Sequence, residues 1–239
     1  MSLLERLGLE LPIVQAGLGG GLAGAELAGA VSAAGGLGTV GIFPPARLER
    51  ELRRARALAP GRPLAANLLM PFVRPAHLRA LISAGVGVAA LFCGFDRVVV
   101  DRLHQAGIFV LHQVGTEAQA RRAIAEGADG LIAQGLQAGG HLLAELDTLA
   151  FLPRALALAE GRPVLAAGGI HDAQGVRGAL AAGAAGVVCG TRFLLSAECA
   201  AHPLYKQRVL GAERTLETVL FGLGWYARHR VVPNASTAR

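Results

Sequence analysis

Short apolar runs recur along the whole chain, at Leu11–Gln15, Leu37–Gly41, Pro63–Leu68, Val86–Phe92, Ile108–Gln113, Gly130–Ala133, Pro163–Ala167 and Ala185–Cys189. They show no strong polar alternation, and Ala-rich segments with helical spacing separate them. A glycine closes each helical segment, at Gly36, Gly61, Gly85, Gly107, Gly127, Gly161 and Gly183. Glycine ends helices because it adopts the left-handed conformation without penalty. Unalternated strands divided by helices predict a parallel sheet covered on both faces. Eight such units within about 200 residues predict a compact (β/α)8 TIM barrel, with a doubly wound open sheet as the alternative.

The glycine rhythm has one long interval, between Gly127 and Gly161. The extra residues follow the sixth run, in Gln134-Gly-Leu-Gln-Ala-Gly-Gly-His141 and onward to Asp147. Loops after barrel strands lie on the face where active sites are built, so this loop is a functional candidate. Two further stretches are either phosphate loops or ordinary glycine turns, and their placement favours the first reading. Gly168-Gly169 follows the seventh run and Gly190-Thr191 the eighth, the loops where barrels commonly hold a phosphate on backbone N–H groups. Thr191 adds a hydroxyl that could cap the next helix.

A competing signal lies near the start. Gly19, Gly21 and Gly24 satisfy G-x-G-x-x-G after the first run. A dinucleotide site would need an acid at the end of the second strand, and the segment Thr39–Phe43 has none. Two readings remain open: an ordinary tight turn, or a first loop whose bare backbone lies against a flat ligand ring.

Composition narrows the classes. With 239 residues, 53% hydrophobic and 5% aromatic, the chain predicts a single domain with one buried core, residues 1–200 forming the barrel and 201–239 C-terminal helices and a tail. The net charge is +6, but the arginines are scattered along helical segments (Arg47, Arg50, Arg53, Arg54, Arg56) without a basic stripe or interleaved aromatics, which argues against nucleic acid. Cys93, Cys189 and Cys199 have neither disulfide-framework nor zinc spacing, so no metal is expected. No signal peptide and no membrane-length apolar stretch is present, giving the expectation of a soluble cytoplasmic protein.

Read as residues alone, His141 is equally a surface loop histidine or a catalytic one, and its ordinary proton affinity near neutrality suits either a base or a hydrogen-bond donor. His112 ends the fifth run and either faces the same cavity or packs in the wall. His171 with Asp172 begins a helix, and His77, His104, His202 and His229 read as helical or exposed. Lys206 reads as a solvated helix residue. Asn67, ending the apolar run Leu64-Ala-Ala, is either a ligand-binding amide or a strand-end cap.

Taken together, Pro12-Ile-Val-Gln-Ala16, Gln134–His141, Ala166-Ala-Gly-Gly-Ile170 and Gly190-Thr-Arg-Phe-Leu194 resemble the nitronate monooxygenase family, also called 2-nitropropane dioxygenases and related to FMN-dependent enoyl-acyl carrier protein reductases. The likeness continues through His202-Pro-Leu-Tyr-Lys206 and Phe221-Gly-Leu-Gly-Trp225. It implies an FMN-binding barrel with a short C-terminal helical extension. It would place Ala16, Gly17 and Leu18 along the flavin ring, and Asn67 and Gln134 at its polar edge or ribityl chain. Gly139, Gly168, Gly169, Gly190 and Thr191 would serve the phosphate, and His141 would be the active-site histidine. Such a flavin needs an apolar ring contact, edge hydrogen bonds and a phosphate anchor.

The chain departs from the family pattern at Gly17-Leu18, where Pro-Met is usual, and at Leu143, where Gly is usual. It is also shorter, and Val232–Arg239 reads as a tail with little to pack. The expected reaction is oxidation of alkyl nitronates, or nitroalkanes, with O2 to carbonyl compounds and nitrite. The alternatives are NAD(P)H-dependent reduction of an enoyl thioester through FMN, a noncatalytic flavin- or phosphate-binding barrel, and a flavin-free sugar-phosphate enzyme, which the shortage of strand-end acids and lysines disfavours. Partners would be small molecules and O2, with a homodimer left open.

Overall fold

The computed structural model describes residues 2–221 and 228–237. Its elements run α1 (Leu3–Leu7), β1 (Ile13–Gln15), α2 (Ala25–Ala33), β2 (Gly38–Val40), α3 (Pro45–Leu58), β3 (Leu64–Leu69), α4 (Pro75–Ser83), β4 (Val88–Phe92), α5 (Arg97–Gln105), β5 (Phe109–Val114) and α6 (Glu117–Ala125). They continue as β6 (Gly130–Gln134), β7 (Gly140–Leu142), α7 (Thr148–Leu158), β8 (Val164–Ala167), α8 (Ala173–Ala181), β9 (Gly186–Cys189), α9 (Thr191–Leu194), α10 (Pro203–Leu210), β10 (Leu216–Thr218) and β11 (Arg228–Val231).

Eight parallel strands pair in the order β1-β9-β8-β6-β5-β4-β3-β2. The seam closes through Val14 and Leu37: the Gln15 N–H donates to Leu37 O at 2.9 Å, and the Leu37 N–H to Ile13 O at 2.9 Å. The buried side chain of Gln15 reinforces it, accepting from the Thr39 N–H at 2.9 Å. This is the (β/α)8 barrel that the eight apolar runs predict, each observed strand lying within two residues of its run.

Strand alternation sorts the side chains into two cores. Val14, Leu37, Ala65, Val88, Ala90, Leu111, Ile132, Leu165 and Val188 fill the barrel, and α1 packs Leu3 and Leu9 against them. The alternate residues, among them Val40, Leu64, Ala66, Leu91 and Val110, meet the surrounding helices. Helix starts follow local chemistry. Asp96, Thr116 and Asp172 cap α5, α6 and α8 by accepting backbone N–H groups. Much of the arginine excess is spent on exposed i,i+4 pairs such as Arg53–Glu49, Arg97–Asp101 and Arg122–Glu126. No described helix is long and apolar enough to cross a membrane.

Three expectations change. Six of the seven marker glycines have positive φ, but in the first turn Gly35 takes that role at φ +89°. Gly36 is needed for space instead, since a Cβ there would lie 2.8 Å from Ile13 O. Lys206 is half-buried, donating to the carbonyls of Ser196 and Cys199, the latter at 2.9 Å. Among the described residues, the last helix of the C-terminal region is α10. Beyond it β10 and β11 form a small antiparallel sheet with β7, and Asn234–Thr237 closes a hydrogen-bonded turn. His229, read as helical or exposed, is therefore a buried strand residue. Gly222–Trp225 lies outside the described residues.

Candidate active site

The loops after β1, β6, β8 and β9 converge on the C-terminal rim of the barrel. Gly190 sits against the first loop, where a Cβ would be 3.6 Å from Ala16 and 3.7 Å from Leu18. Gly17 is packed on Asn67: a Cβ there would fall 2.3 Å from the Asn67 Cβ. Asn67 stands inside β3 rather than at its end, and its Nδ2 donates across to Ala90 O at 2.9 Å. Across the rim, a Cβ on Gly139 would approach Thr191 Oγ1 to 3.0 Å. Thr191 opens α9 as its first residue, and Gly190 holds the cap position without a side-chain bond, so the threonine hydroxyl stays exposed and does not cap.

Gly168 (φ +117°) and Gly169 (φ +71°) turn the chain after β8 in conformations that side chains resist. A Cβ on Gly168 would meet Thr148 Oγ1 at 2.8 Å and Ala138 N at 2.9 Å. Thr148 organises this corner. Its N–H donates to Gln137 Oε1 at 2.9 Å, and its buried hydroxyl lies 3.0 Å from both Gln137 Oε1 and Gly168 O. Gly135 allows that approach, a Cβ there falling 2.2 Å from Thr148 N. Neither Thr148 nor Gln137 was singled out in the sequence, because nothing local marks a residue whose partners lie in another loop.

The histidine side is built differently. The buried Gln134 amide spans the loop beyond it, donating to His141 O at 2.8 Å and accepting from the Leu143 N–H at 2.7 Å. Leu143 in turn packs its backbone on Gly115, where a Cβ would be 2.3 Å from Leu143 C. The half-buried His141 ring meets the edge of Phe92 at 6.2 Å and touches the His229 ring at 3.7 Å between centroids. Burial, with His229 adding to it, lowers the His141 pKa to about 4, which leaves the imidazole neutral at physiological pH.

The profile of the nitronate monooxygenase family matches residues 2–93 and 76–232. The chain belongs to the nitronate monooxygenase family. Among its relatives is a (3aS,4S,5R,7aS)-5-hydroxy-7a-methyl-1-oxo-octahydro-1H-indene-4-carboxyl-CoA dehydrogenase of Mycobacterium tuberculosis, 36% identical over 215 residues. That match covers 88% of this chain and 60% of the relative, so the chain spans about three fifths of that protein's length. FabK of Thermotoga maritima superposes with a TM-score of 0.90 at 30% identity, over 100% of this chain and 76% of FabK. Nitroalkane oxidase from Streptomyces ansochromogenes gives 0.88 at 31% identity, over 97% and 79%.

For a member of the nitronate monooxygenase family, the positions of the other candidates matter as much. His112 does not face the barrel. It shares strand parity with Val110 and Val114, which pack outward, and it stacks on Phe95 at 4.6 Å beneath the guanidinium of Arg122. Burial lowers its pKa to about 4 against the opposing Gly94 backbone. The inward position beside it belongs to Gln113, which sequence reading passed over. Cys93, at φ +60° after β4, is kept a thiol by burial, as is Cys189.

A cavity of about 660 Å³ lies at the opposite, N-terminal end of the barrel, lined by Arg6, Arg56, Arg62, His104, Phe109 and Asp129 among others. Arg6 pairs with Asp129 at 3.5 Å, His104 Nε2 lies 2.9 Å from the same carboxylate, Arg62 pairs with Glu10, and Arg56 donates to Gly85 O. In (β/α)8 barrels active sites are built on the opposite, C-terminal face, the face that carries His141 here.

Proposed function

We propose that the chain is an FMN-dependent oxidoreductase that oxidises alkyl nitronates with O2 to carbonyl compounds and nitrite. The observation that carries this reading is the placement of the half-buried His141 on the same rim as the bare backbone turns at Gly139, Gly168 and Gly169. A flavin fits the residues present. Gly139, Gly168 and Gly169 bring bare backbone against Thr191, Thr148 and Gln137, where added Cβ atoms would crowd those neighbours, and bare backbone beside the exposed Thr191 suits one terminal phosphate and hence FMN. Ala16, Leu18 and Gly190 offer an apolar floor of small residues for the ring. When bound, the flavin would supply the electron acceptor that neither the thiols nor the histidines of this chain provide.

The residues of the chain then do the rest. His141, uncharged, donates a ring N–H to the nitronate oxygens, or takes the α-carbon proton of a neutral nitroalkane at its unprotonated ring nitrogen. Gln134 holds the loop that delivers it, and Phe92 keeps one side of the ring dry. Membership of the nitronate monooxygenase family and the likeness to nitroalkane oxidase support this reading.

A second reading has its own support. The relative at 36% identity is named for a carboxyl-CoA substrate, which favours an acyl thioester as the compound oxidised or reduced. One experiment separates the readings: anaerobic mixing of purified yellow protein with an alkyl nitronate, an acyl-CoA or NADH, followed by flavin absorbance, with oxygen uptake in parallel. Bleaching by nitronate with oxygen uptake is the expected result. Bleaching only by acyl-CoA or NADH transfers the assignment to thioester chemistry. A protein that takes up FMN and is bleached by none of them is a binding barrel.

A further inference from the structure

The cavity of about 660 Å³ at the N-terminal end of the barrel takes no part in the proposed chemistry, and it is built differently from the rim. Its floor is the start of three consecutive strands, at Leu64, Val88 and Phe109, and α1 forms one wall. Gly61, Gly85 and Gly107, three of the glycines that end helices with positive φ, line it as well. At Gly8, Gly61, Gly87 and Gly107 an added Cβ would meet nothing within 4 Å. On the rim glycines let backbones close together; here they leave room. The volume falls in the range, roughly 300–1,000 Å³, of sites that hold small organic molecules.

Three guanidiniums enter that room from separate elements: Arg6 from α1, Arg56 from the last turn of α3 and Arg62 from the loop before β3. Two of them have carboxylate partners. Arg6 lies over the Phe109 ring at 4.5 Å and 3.5 Å from Asp129. The Asp129 carboxylate is also engaged by the Val110 N–H at 2.8 Å and by His104 Nε2 at 2.9 Å. Arg62 pairs with Glu10, whose side chain is 58% exposed, so the pair is weak. Arg56 donates to Gly85 O, a neutral group, and pairs with no carboxylate among the described residues. The three positive charges therefore exceed the two carboxylates that answer them, and the excess sits on Arg56.

Charge of one sign gathered in a concave site attracts ions of the other. A guanidinium presents its N–H groups as a planar fork matched to the oxygens of a carboxylate or a phosphate. Three forks from three elements suit the tetrahedral oxygens of a phosphoryl group better than the two coplanar oxygens of a carboxylate. We propose that this cavity is a second ligand site, in which Arg6, Arg56 and Arg62 hold the phosphoryl group of a small monoester or of free phosphate. A ligand there bridges α1, whose Leu3 packs into the barrel core, to α3 and to the start of β3. Its occupancy braces the closed end of the barrel, and it is independent of the nitronate reading because His141 stands on the opposite face.

The test is amide NMR of the purified full chain, titrated at constant ionic strength with inorganic phosphate and, separately, with glycerol phosphate. Saturable shifts of the Gly8, Gly61, Gly85 and Gly107 amides are expected, half complete at or below about 1 mM. Chloride at the same ionic strength should not produce them. Tighter binding of glycerol phosphate identifies an ester as the ligand, and equal affinity shows that the phosphoryl group alone is read. Arg56→Gln should weaken binding about tenfold, whereas Arg50→Gln, which removes the same charge from α3 outside the cavity, should leave it unchanged. Shifts confined to Gly168, Gly169 and Gly190 would put phosphate on the rim alone and overturn the proposal, as would cavity shifts that grow without saturating. Equal losses in Arg50→Gln and Arg56→Gln would overturn it too, by showing attraction to net charge only. The wild-type map decides even if Arg56→Gln does not fold. Absence of nitronate turnover would sink the proposed function and leave this site standing.

Discussion

Two halves of one rim are made by opposite means. Around Gly139, Gly168, Gly169 and Gly190 the site is shaped by leaving side chains out, so that backbones from three loops come close. Around His141 it is shaped by side chains put in: Gln134 from the barrel, Arg230 and Glu217 from the C-terminal sheet, and His229 on the ring itself. The first half rests on glycines, and it resists an added Cβ most strongly at Gly168 and Gly169, where φ is positive and a neighbouring loop is close. The second depends on contacts between distant segments and tolerates local change until a partner is lost.

Substitutions can set the halves against each other. His141→Ala should have the largest effect, lowering turnover about 10²–10⁴-fold, the ordinary worth of a positioned acid–base group. Its flavin dissociation constant should stay near wild type, and a parallel loss of flavin binding would show that the halves are not separate.

A control in the barrel wall comes next. His112 binds its proton less readily folded than unfolded, so its contribution to stability is complete above pH about 6.5 and is lost as pH falls towards about 4. For so buried a ring the loss is about 3 kcal/mol at the acidic end. Thermal melts across that range should flatten in His112→Phe, with turnover at neutral pH unchanged.

Gly168→Ala tests the cradle. It forces a Cβ into a positive-φ residue and against Thr148, a cost of about 1–3 kcal/mol. Flavin titration by fluorescence quenching should show affinity down roughly tenfold, with a smaller change in kcat of the saturated enzyme. The smallest effect is expected for Glu217→Ala. Its ion pairs are partly solvated, so global stability should drop by less than about 1 kcal/mol. Faster amide exchange confined to residues 140–142 and 228–231, with a few-fold lower kcat, would show that the sheet serves the histidines alone.

The two halves also differ in how far the sequence discloses them. The eight strands are legible because burial on both faces leaves unbroken apolar runs, and the double glycines after β8 are legible because positive φ demands them. Of the two readings open for His112, packing in the wall is the one observed, a one-residue matter of parity: Gln113 faces in and His112 out. His229 carried no signal at all. It lies in a short stretch, Arg228–Val231, whose alternation is too brief to separate strand from helix. It is buried where β11 pairs with β10 and β7. Lys206 was misread for the same reason, its carbonyl partners lying in a neighbouring turn.

The pairing of β11 with β7 also orders events in time. His141 and His229 are separated by about 90 positions, so their meeting is among the longer-range closures the chain must make. The barrel seam needs nothing beyond Cys189, and the glycine cradle nothing beyond Thr191. A chain emerging from the ribosome can therefore close its barrel and form its glycine-lined turns before the segment bearing His229 has left the exit tunnel, and the contact of β11 with β7 arrives last.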